Sequence, residues 1–181
     1  MRKILSMQNT LAVILLLIAT GAIAQETKIF PVPPEDGKMM FYLQRTPNTN
    51  TIVYELNYEN GVLNSEEPIH VYWLRYTEQG QKAELSYIQR HFAYGIKTKS
   101  LGKDYYEMHI VAYKKKVLYL KKASNNAYYV FTVVNNKTVL VKRIFIQING
   151  GTFWSPNVEY VEFKGVDLAT GKETTEQIKV K

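Results

Sequence analysis

The sequence contains no cysteine, and this absence excludes several classes of chemistry at once. None of its 181 residues can form a disulfide, a thiolate metal ligand, a cysteine nucleophile or a lipidated cysteine anchor. A chain of this length can bury a core large enough to fold without such crosslinks. We therefore expect a domain that is stabilised by packing alone.

Catalytic and metal-ligating patterns are also scarce. The three histidines, His70, His91 and His109, lack the close spacing of a zinc site. No Gly-x-Ser-x-Gly motif is present to position a serine nucleophile. The adjacent carboxylates of Glu66 and Glu67 precede a proline, which favours a solvated turn over an acid and base pair. The sequence therefore predicts no catalytic residue, no metal and no cofactor.

The N-terminus has the three parts of a secretory signal peptide. Arg2 and Lys3 are followed by an uncharged run at residues 11–24, which ends in the small-x-small pattern Ala22-Ile23-Ala24. The run is shorter than the ~20 residues of a membrane-spanning helix, although an uncleaved anchor is the alternative. We expect residues 1–24 to be removed, leaving an exported protein without a transmembrane segment. It would be periplasmic or secreted, soluble and not a lipoprotein.

The basic balance of the chain does not predict a nucleic-acid partner. Lys and Arg number 23 against 16 Asp and Glu, for a formal charge of +7, and cleavage would remove Arg2 and Lys3 from this surplus. Further lysines cluster at residues 114–116 and 121–122, at the ends of apparent strands. Lysines at strand ends and sheet edges commonly prevent association between sheets.

After an extended, proline-rich arm at residues 25–38, β-type segments dominate a single domain at residues 39–181. These segments are rich in Tyr, Val, Ile, Phe and Thr, and Asn-Gly and similar turn pairs separate them. They lie at residues 39–45, 51–58, 70–76, 105–113, 117–122, 127–134, 138–148, 158–164 and 173–180. Short connections favour antiparallel neighbours. The pattern predicts a mainly β fold, either a meandering antiparallel barrel or a two-sheet sandwich.

One segment, at about residues 82–94, has helical spacing instead. Leu85, Ile88 and Phe92 share one face, and Tyr87, His91 and Tyr94 share another. Gly95 follows at the position of a left-handed residue that would end the helix. Because two faces carry large side chains, we expect a short helix that is covered on more than one side.

Candidate ligand-binding residues come from three places. A polar loop contains Arg45, Asn48 and Asn50, which suit an anionic or hydrogen-bonding ligand but also serve as ordinary turn residues. Alternation along residues 70–76 puts Trp73 and Arg75 on one face, where the tryptophan could equally belong to the core. The helix adds Arg90 between two tyrosines. The complete candidate set is Arg45, Asn48, Asn50, Trp73, Arg75, Tyr87, Arg90 and Tyr94.

Three stretches together resemble a known family of exported bacterial proteins. They read FYLQRTPNTNTIVY at residues 41–54, VYWLRY at residues 71–76, and YIQR at residues 87–90 continuing to AYG at residues 93–95. The family is domain of unknown function 4833, found mostly in Bacteroides-type bacteria. The resemblance implies an exported or envelope location and a single domain, and it supplies no catalytic residue or ligand.

The leading functional hypothesis is an exported, non-enzymatic β domain that binds a small ligand or an envelope component. The alternatives are a protein-interaction or structural module of the cell envelope and, with less support, an envelope hydrolase. An interaction module predicts a contiguous exposed apolar patch, whereas a hydrolase requires a carboxylate or histidine in a cleft. The sequence leaves the oligomeric state open.

Overall fold

A computed structural model describes residues 30–180, and strands make up most of this range. The elements in chain order are β1 (Met39–Arg45), β2 (Thr51–Leu56), β3 (Tyr58–Glu59), β4 (Val62–Leu63), β5 (Ile69–Arg75), a 3₁₀ turn (Tyr76–Glu78), β6 (Gln81–Glu84), α1 (Tyr87–Phe92), β7 (Ile96–Gly102), β8 (Tyr105–Ile110), β9 (Tyr113–Lys122), β10 (Tyr128–Val134), β11 (Lys137–Gly151), β12 (Pro156–Asp167) and β13 (Glu173–Lys179). The mainly β fold with one short helix is confirmed.

The long strand β11 organises the main sheet, which curls into a half-barrel. On one edge, its first part pairs antiparallel with β10 and its later part pairs parallel with β1. The β1 limb continues through β2 and β5 to β6, and the β10 limb continues through β9 and β8 to β7. The other edge of β11 carries β12 and then β13, while β3 and β4 form a separate hairpin. The neighbours are antiparallel as expected, except for the β1 and β11 pair.

Bulges in β11 and β12 keep apolar side chains facing the interior along both strands. Lys142 is an extra residue opposite β12, so the inward residues change from Val139 and Val141 to Ile144 and Ile146. Gly165 lies against this bulge, where a Cβ atom would stand 2.0 Å from the carbonyl oxygen of Leu140. A side chain at this position would therefore force the two strands apart.

The interior is formed by the concave face of the curled sheet. The rings of Phe41 and Tyr54 stack in this core with their centres 4.3 Å apart. Met108, Leu118 and Leu120 join the same core from the opposite limb of the sheet. On the convex face a smaller cluster holds Val53, Tyr72 and Leu74. Thus the alternation expected along residues 70–76 is observed, because Val71 and Trp73 join the main core while Tyr72 and Leu74 face the other way.

Three of the expected turn pairs adopt the left-handed backbone that tight hairpins require. These are Asn60-Gly61, Gln79-Gly80 and Asn135-Asn136, whose residues all have φ between 48° and 79°. Asparagine and glycine tolerate this conformation better than other residues do. The two-residue hairpins β3–β4 and β10–β11 follow directly from this chemistry, and Gln79-Gly80 completes the longer connection between β5 and β6.

The region of residues 81–102 differs from the sequence expectation. The helix begins only at Tyr87, because residues 81–84 pair with β5 as an edge strand. Its faces are also less covered than expected, since Tyr87, Ile88 and Phe92 are exposed. A further strand, β7, follows the helix where the sequence analysis placed none.

Gly95 is not the left-handed residue that the sequence analysis expected after the helix, because its φ is not positive. Its smallness serves packing instead. A Cβ atom there would lie 1.9 Å from the carbonyl oxygen of Arg90, which is closer than atoms can approach. The chain therefore needs glycine at this point to pass beneath the end of the helix.

The segment before β1 crosses the convex face of the sheet. Phe30 contacts the ring of Phe145 edge-on at 5.1 Å, and the carbonyl oxygen of Pro31 accepts a hydrogen bond of 2.7 Å from Gln44. Residues 1–24, where the sequence predicts a signal peptide, and the start of the arm lie outside the described residues. Within residues 30–180 the single α-helix is too short and too polar to cross a membrane.

Candidate functional site

A large cavity with a volume of about 900 Å³ opens where β1, β11 and β12 meet the end of α1. Its size lies within the range of small-molecule binding sites. Its inner wall is apolar and consists of Leu43, Ile110, Ile144, Ile146, Val158, Val161 and Phe163. An apolar wall of this extent provides a favourable environment for a hydrophobic ligand.

The parallel pairing of β1 with β11 explains how this wall forms. Leu43 lies opposite Ile144, and Arg45 lies opposite Ile146. Paired residues in neighbouring strands point to the same face of a sheet. The register therefore continues an apolar row up to Arg45, which stands at the end of β1 beside the cavity.

Arg45 has no acidic partner within the described part of the chain. The other three arginines there form ion pairs, with Arg75 binding Glu78 at 3.1 Å, Arg90 binding Glu84 at 3.0 Å and Arg143 binding Glu162 at 3.5 Å. The Nε atom of Arg45 is buried and has no hydrogen-bond partner among residues 30–180. Its guanidinium carbon lies 6.0 Å from the centre of the Tyr94 ring. Arg45 is thus a half-buried cation at an apolar wall, with Tyr94 beside it and no carboxylate partner among residues 30–180.

Hydrogen bonds beside Arg45 hold the end of β1 against β11. The hydroxyl of Thr46 donates to the carbonyl oxygen of Ile148 at 2.9 Å and accepts from the amide of Ile148 at 2.7 Å. The amide of Thr46 also donates to the carbonyl oxygen of Ile146. The backbone that carries Arg45 is therefore anchored on the strand that forms the cavity wall.

Tyr94 is the second polar side chain at this end of the cavity, and its surroundings fix its position. Its ring meets Trp73 edge-on at 5.2 Å, and its carbonyl oxygen accepts a 2.9 Å hydrogen bond from the buried hydroxyl of Tyr54. Burial raises the pKa of the Tyr94 hydroxyl above its ordinary value, although the Arg45 guanidinium acts in the opposite direction. Tyr94 therefore stays neutral and leaves the charge of Arg45 unbalanced.

The cavity contains a single charged side chain within the described residues, and this is Arg45. The other ionisable groups that line it are the phenols of Tyr94 and Tyr113. No carboxylate or histidine of residues 30–180 lines it. The arrangement can bind an apolar or anionic group, but it offers no acid and base pair.

Exposed aromatic rings form the outer rim of the cavity. The ring of Trp154 packs edge to face against the rings of Phe92 in α1 and of Phe153. The distances between ring centres are 6.0 Å and 5.0 Å. Trp154 is 68% exposed and Phe92 is 60% exposed, which is unusual for side chains of this size. We name Phe92, Phe153 and Trp154 the aromatic rim.

The loop that carries this rim depends on a close backbone approach. Gly151 has a φ of 87°, and a Cβ atom there would lie 2.5 Å from the carbonyl oxygen of Ser155. The hydroxyl of Thr152 accepts a hydrogen bond of 3.1 Å from the amide of Ser155. Phe153 and Trp154 therefore occupy the tip of a tight turn between β11 and β12.

The structure brings together only two of the eight candidate residues at the large cavity, Arg45 and Tyr94. The side-chain oxygen of Asn48 accepts from the amide of Asn50, and that of Asn50 accepts from the amide and hydroxyl of Thr77. Both asparagines thus shape the loop after β1. Arg75 lies apart from the cavity, with its guanidinium engaged by a carboxylate.

The remaining candidates surround α1. Tyr87 and Arg90 line a smaller cavity of about 400 Å³ together with Glu67 and His91. Trp73 is buried beneath the helix, where its Nε1 atom donates to the side chain of Gln89 at 3.3 Å. Whether any of the eight residues binds a ligand remains a prediction.

Sequence reasoning missed most of the large cavity, because its wall is made of ordinary core residues. Ile144, Ile146 and Val158 carry no polar signal that separates a cavity wall from a packed interior. The adjacent Phe153-Trp154 pair in a turn was the available signal, since large aromatic residues are rare at such positions. Within residues 30–180, no group of three or more His, Asp or Glu residues is placed to hold a metal ion.

Taken together, the fold and cavity define a half-barrel β domain with an apolar, singly cationic cavity at one end. The sequence model of a protein family described as a domain of unknown function (DUF4833) matches residues 41–177. The match covers more than half of the chain, and the chain belongs to this family. No curated protein and no solved structure matches it.

Proposed function

We propose that this protein is an exported, non-enzymatic domain that binds a small apolar ligand in the large cavity. The observation that carries the proposal is the ~900 Å³ apolar cavity at the open end of the half-barrel. Export is supported by the sequence pattern of residues 1–24 alone. A binding role is favoured over catalysis because no carboxylate or histidine of residues 30–180 lines the cavity.

The aromatic rim also supports a binding role. Phe92 and Trp154 leave large apolar areas in contact with water, which is costly unless a ligand or partner covers them. Both side chains belong to the cavity lining, so a ligand in the cavity would cover part of their surface. The rim and the inner wall together would then enclose one binding site.

The test is saturable binding of Nile red, a neutral dye whose fluorescence rises in apolar surroundings. We expect the wild-type protein to bind one dye molecule and Val158→Trp to weaken binding at least about tenfold, equal to ~1.4 kcal/mol. Val158 lines the cavity, so a larger side chain there occupies the space of the ligand.

Val133→Trp is the matched control for this experiment. Val133 lies on β10, is half exposed and does not line the cavity. The same substitution there should leave dye binding unchanged. Absence of saturable binding to wild type, or equal binding by wild type and Val158→Trp, would contradict the proposal.

A protein-interaction or structural module is the second candidate function. The contacts of Phe92 and Phe153 with Trp154 make the rim a contiguous exposed aromatic surface, as that alternative requires. In this case Trp154→Ala would abolish capture of a protein partner from the envelope and would leave Nile red binding by the inner wall unchanged. If Trp154→Ala instead weakens Nile red binding as much as it weakens partner capture, the ligand-binding function is favoured.

A further inference from the structure

We infer that the cavity ligand is a single-tailed amphiphile whose anionic head, a carboxylate or phosphate, pairs with Arg45 while its apolar body lies along the inner wall. This inference rests on the proposed function, and it adds the chemical class of the ligand. Its occupant is a small molecule in solution rather than a membrane surface or a protein.

The first step concerns the charge of Arg45. A cation placed at an apolar wall is unfavourable unless a counter-charge compensates it. Arg75, Arg90 and Arg143 all have a carboxylate within 3.5 Å, whereas Arg45 has none within residues 30–180. Its buried Nε atom also lacks a hydrogen-bond acceptor there. The missing counter-charge is the property that the ligand would supply.

The second step concerns the shape of the head group. A guanidinium presents its donors in a planar fork, which matches the paired oxygens of a carboxylate or phosphate. The neutral Tyr94 hydroxyl beside it can donate a further hydrogen bond to the same oxygens. Because Tyr94 is held by Trp73 and Tyr54, the two donors are positioned before a ligand arrives.

The third step concerns the body of the ligand. From Arg45 the lining continues through Ile146, Ile144 and Leu43 along one sheet face, without another charged side chain of the described residues. A second charge on the ligand would therefore enter an apolar region and lose its hydration. A ligand with one charged end and one hydrocarbon end fits both parts of the cavity.

The experiment compares probes that differ only in the head group, by displacement of Nile red. Decanoate and decyl phosphate carry anionic heads, and decanol has the same chain with a neutral head. For Arg45→Met we expect a roughly tenfold to hundredfold loss of affinity for whichever anionic probe binds wild type best, the range expected of a charged hydrogen bond. Affinity for decanol and Nile red should stay within about twofold.

Two further variants separate charge from general damage. Arg45→Lys keeps the charge but loses the planar fork, so it should recover part of the affinity for the anionic probe. Arg75→Met removes an arginine that is paired with Glu78 away from the cavity, and it should change nothing. The comparison of decanoate with decyl phosphate identifies the preferred head.

Several outcomes would overturn the inference. If wild type binds Nile red but does not distinguish the anionic probes from decanol, the ligand class is wrong and the proposed function stands. If wild type binds neither Nile red nor any of the chains, both fail. Equal losses for anionic and neutral probes in Arg45→Met would show a structural role. Arg45-dependent sedimentation with phosphatidylglycerol vesicles, without binding of free decanoate, would assign the site to a membrane surface instead.

Discussion

At the scale of single residues, Gly95 shows how packing can require glycine without a left-handed backbone. Any side chain there would collide with the Arg90 carbonyl, because the ideal Cβ position lies 1.9 Å from its oxygen. The clash involves backbone on both sides, so relaxation would have to move the end of α1. The substitution should therefore behave as an overpacked core position.

We predict that Gly95→Asn lowers the free energy of unfolding by about 2–3 kcal/mol. Gly61→Asn is the matched control, since Gly61 has open space around it and a φ of 79° that asparagine tolerates. The control should cost less than about 1 kcal/mol. Urea denaturation of both variants measures the difference, and equal losses would contradict the packing explanation.

Asp167 provides a residue whose charge makes stability depend on pH. It is buried at the end of β12, where its carboxylate accepts from the amide of Ala169 at 2.9 Å and pairs with Lys137 at 3.1 Å. The Ala169 amide, followed by Lys137, holds the pKa of Asp167 below its ordinary value of 3.8. Because the pKa of Asp167 is lower in the folded state than in the unfolded state, its charge stabilises the fold at pH values above 3.8. This stabilisation is lost as the pH falls through the folded-state pKa.

We predict that Asp167→Asn is less stable than wild type at pH 6, and that the gap narrows below about pH 3.8. Asparagine keeps an acceptor for Ala169, so the variant removes mainly the charge. Urea denaturation midpoints at pH 6 and pH 3 provide the measurement. A gap that is the same at both values would show that the carboxylate charge contributes nothing.

Only part of the site can be recognised from individual residues in the sequence. Arg45 stands out because a cation ends an apolar strand, and Tyr94 because it follows a helix of mixed faces. Ile144, Ile146 and Val158 do not stand out, since their role depends on the parallel register of β1 and β11. That register joins residues about 100 positions apart, which no local pattern encodes.

At the scale of elements, α1 begins where its capping residues dictate. The hydroxyl of Ser86 accepts from the amide of Gln89, and the side chain of Gln89 accepts from the amide of Ser86, which forms a capping box. This Ser-x-x-Gln pattern is visible in the sequence and marks the start of the helix better than the spacing of apolar residues does. Residues 81–84, which the sequence analysis included at the start of the helix, instead pair with β5 as an edge strand.

We predict that Ser86→Ala lowers the free energy of unfolding by about 1 kcal/mol, the usual cost of losing an N-terminal cap. A six-residue helix has few other sources of stability, so hydrogen exchange within α1 should also accelerate. Ser124→Ala, at an exposed position in the turn between β9 and β10, is the control and should have little effect. Unchanged exchange in α1 would show that tertiary contacts alone determine the helix.

Strand β7 could not be predicted because its sequence, IKTKSLG, has few large apolar residues. It forms through its backbone pairing with β8, with Ile96 opposite Ile110 as its main contribution to the core. Edge strands need only one covered face, and lysines on the other face protect the edge from association. Sequence patterns detect buried strands more reliably than edges of this kind.

At the scale of the whole molecule, the mainly β architecture follows from composition and turn chemistry, whereas its curvature does not. Aromatic and β-branched segments separated by Asn and Gly pairs are sufficient to predict many short antiparallel strands. The half-barrel arises because β1 and β10 both pair with one edge of β11, so that two limbs diverge from a shared strand. Which strands become neighbours of β11 depends on contacts between residues far apart in the sequence, and local patterns do not reveal these contacts.

The bulge at Lys142 changes which positions of β11 face the core. Before it, odd-numbered residues such as Val141 face the core, and after it, even-numbered residues such as Ile144 do. The spacing of the apolar residues along β11, and not only their identity, therefore determines which side chains face the core. Deletion of Lys142 would make the alternation regular and leave Ile144 and Ile146 facing inward, whereas a regular strand that kept Lys142 would turn this cavity wall towards the outer face.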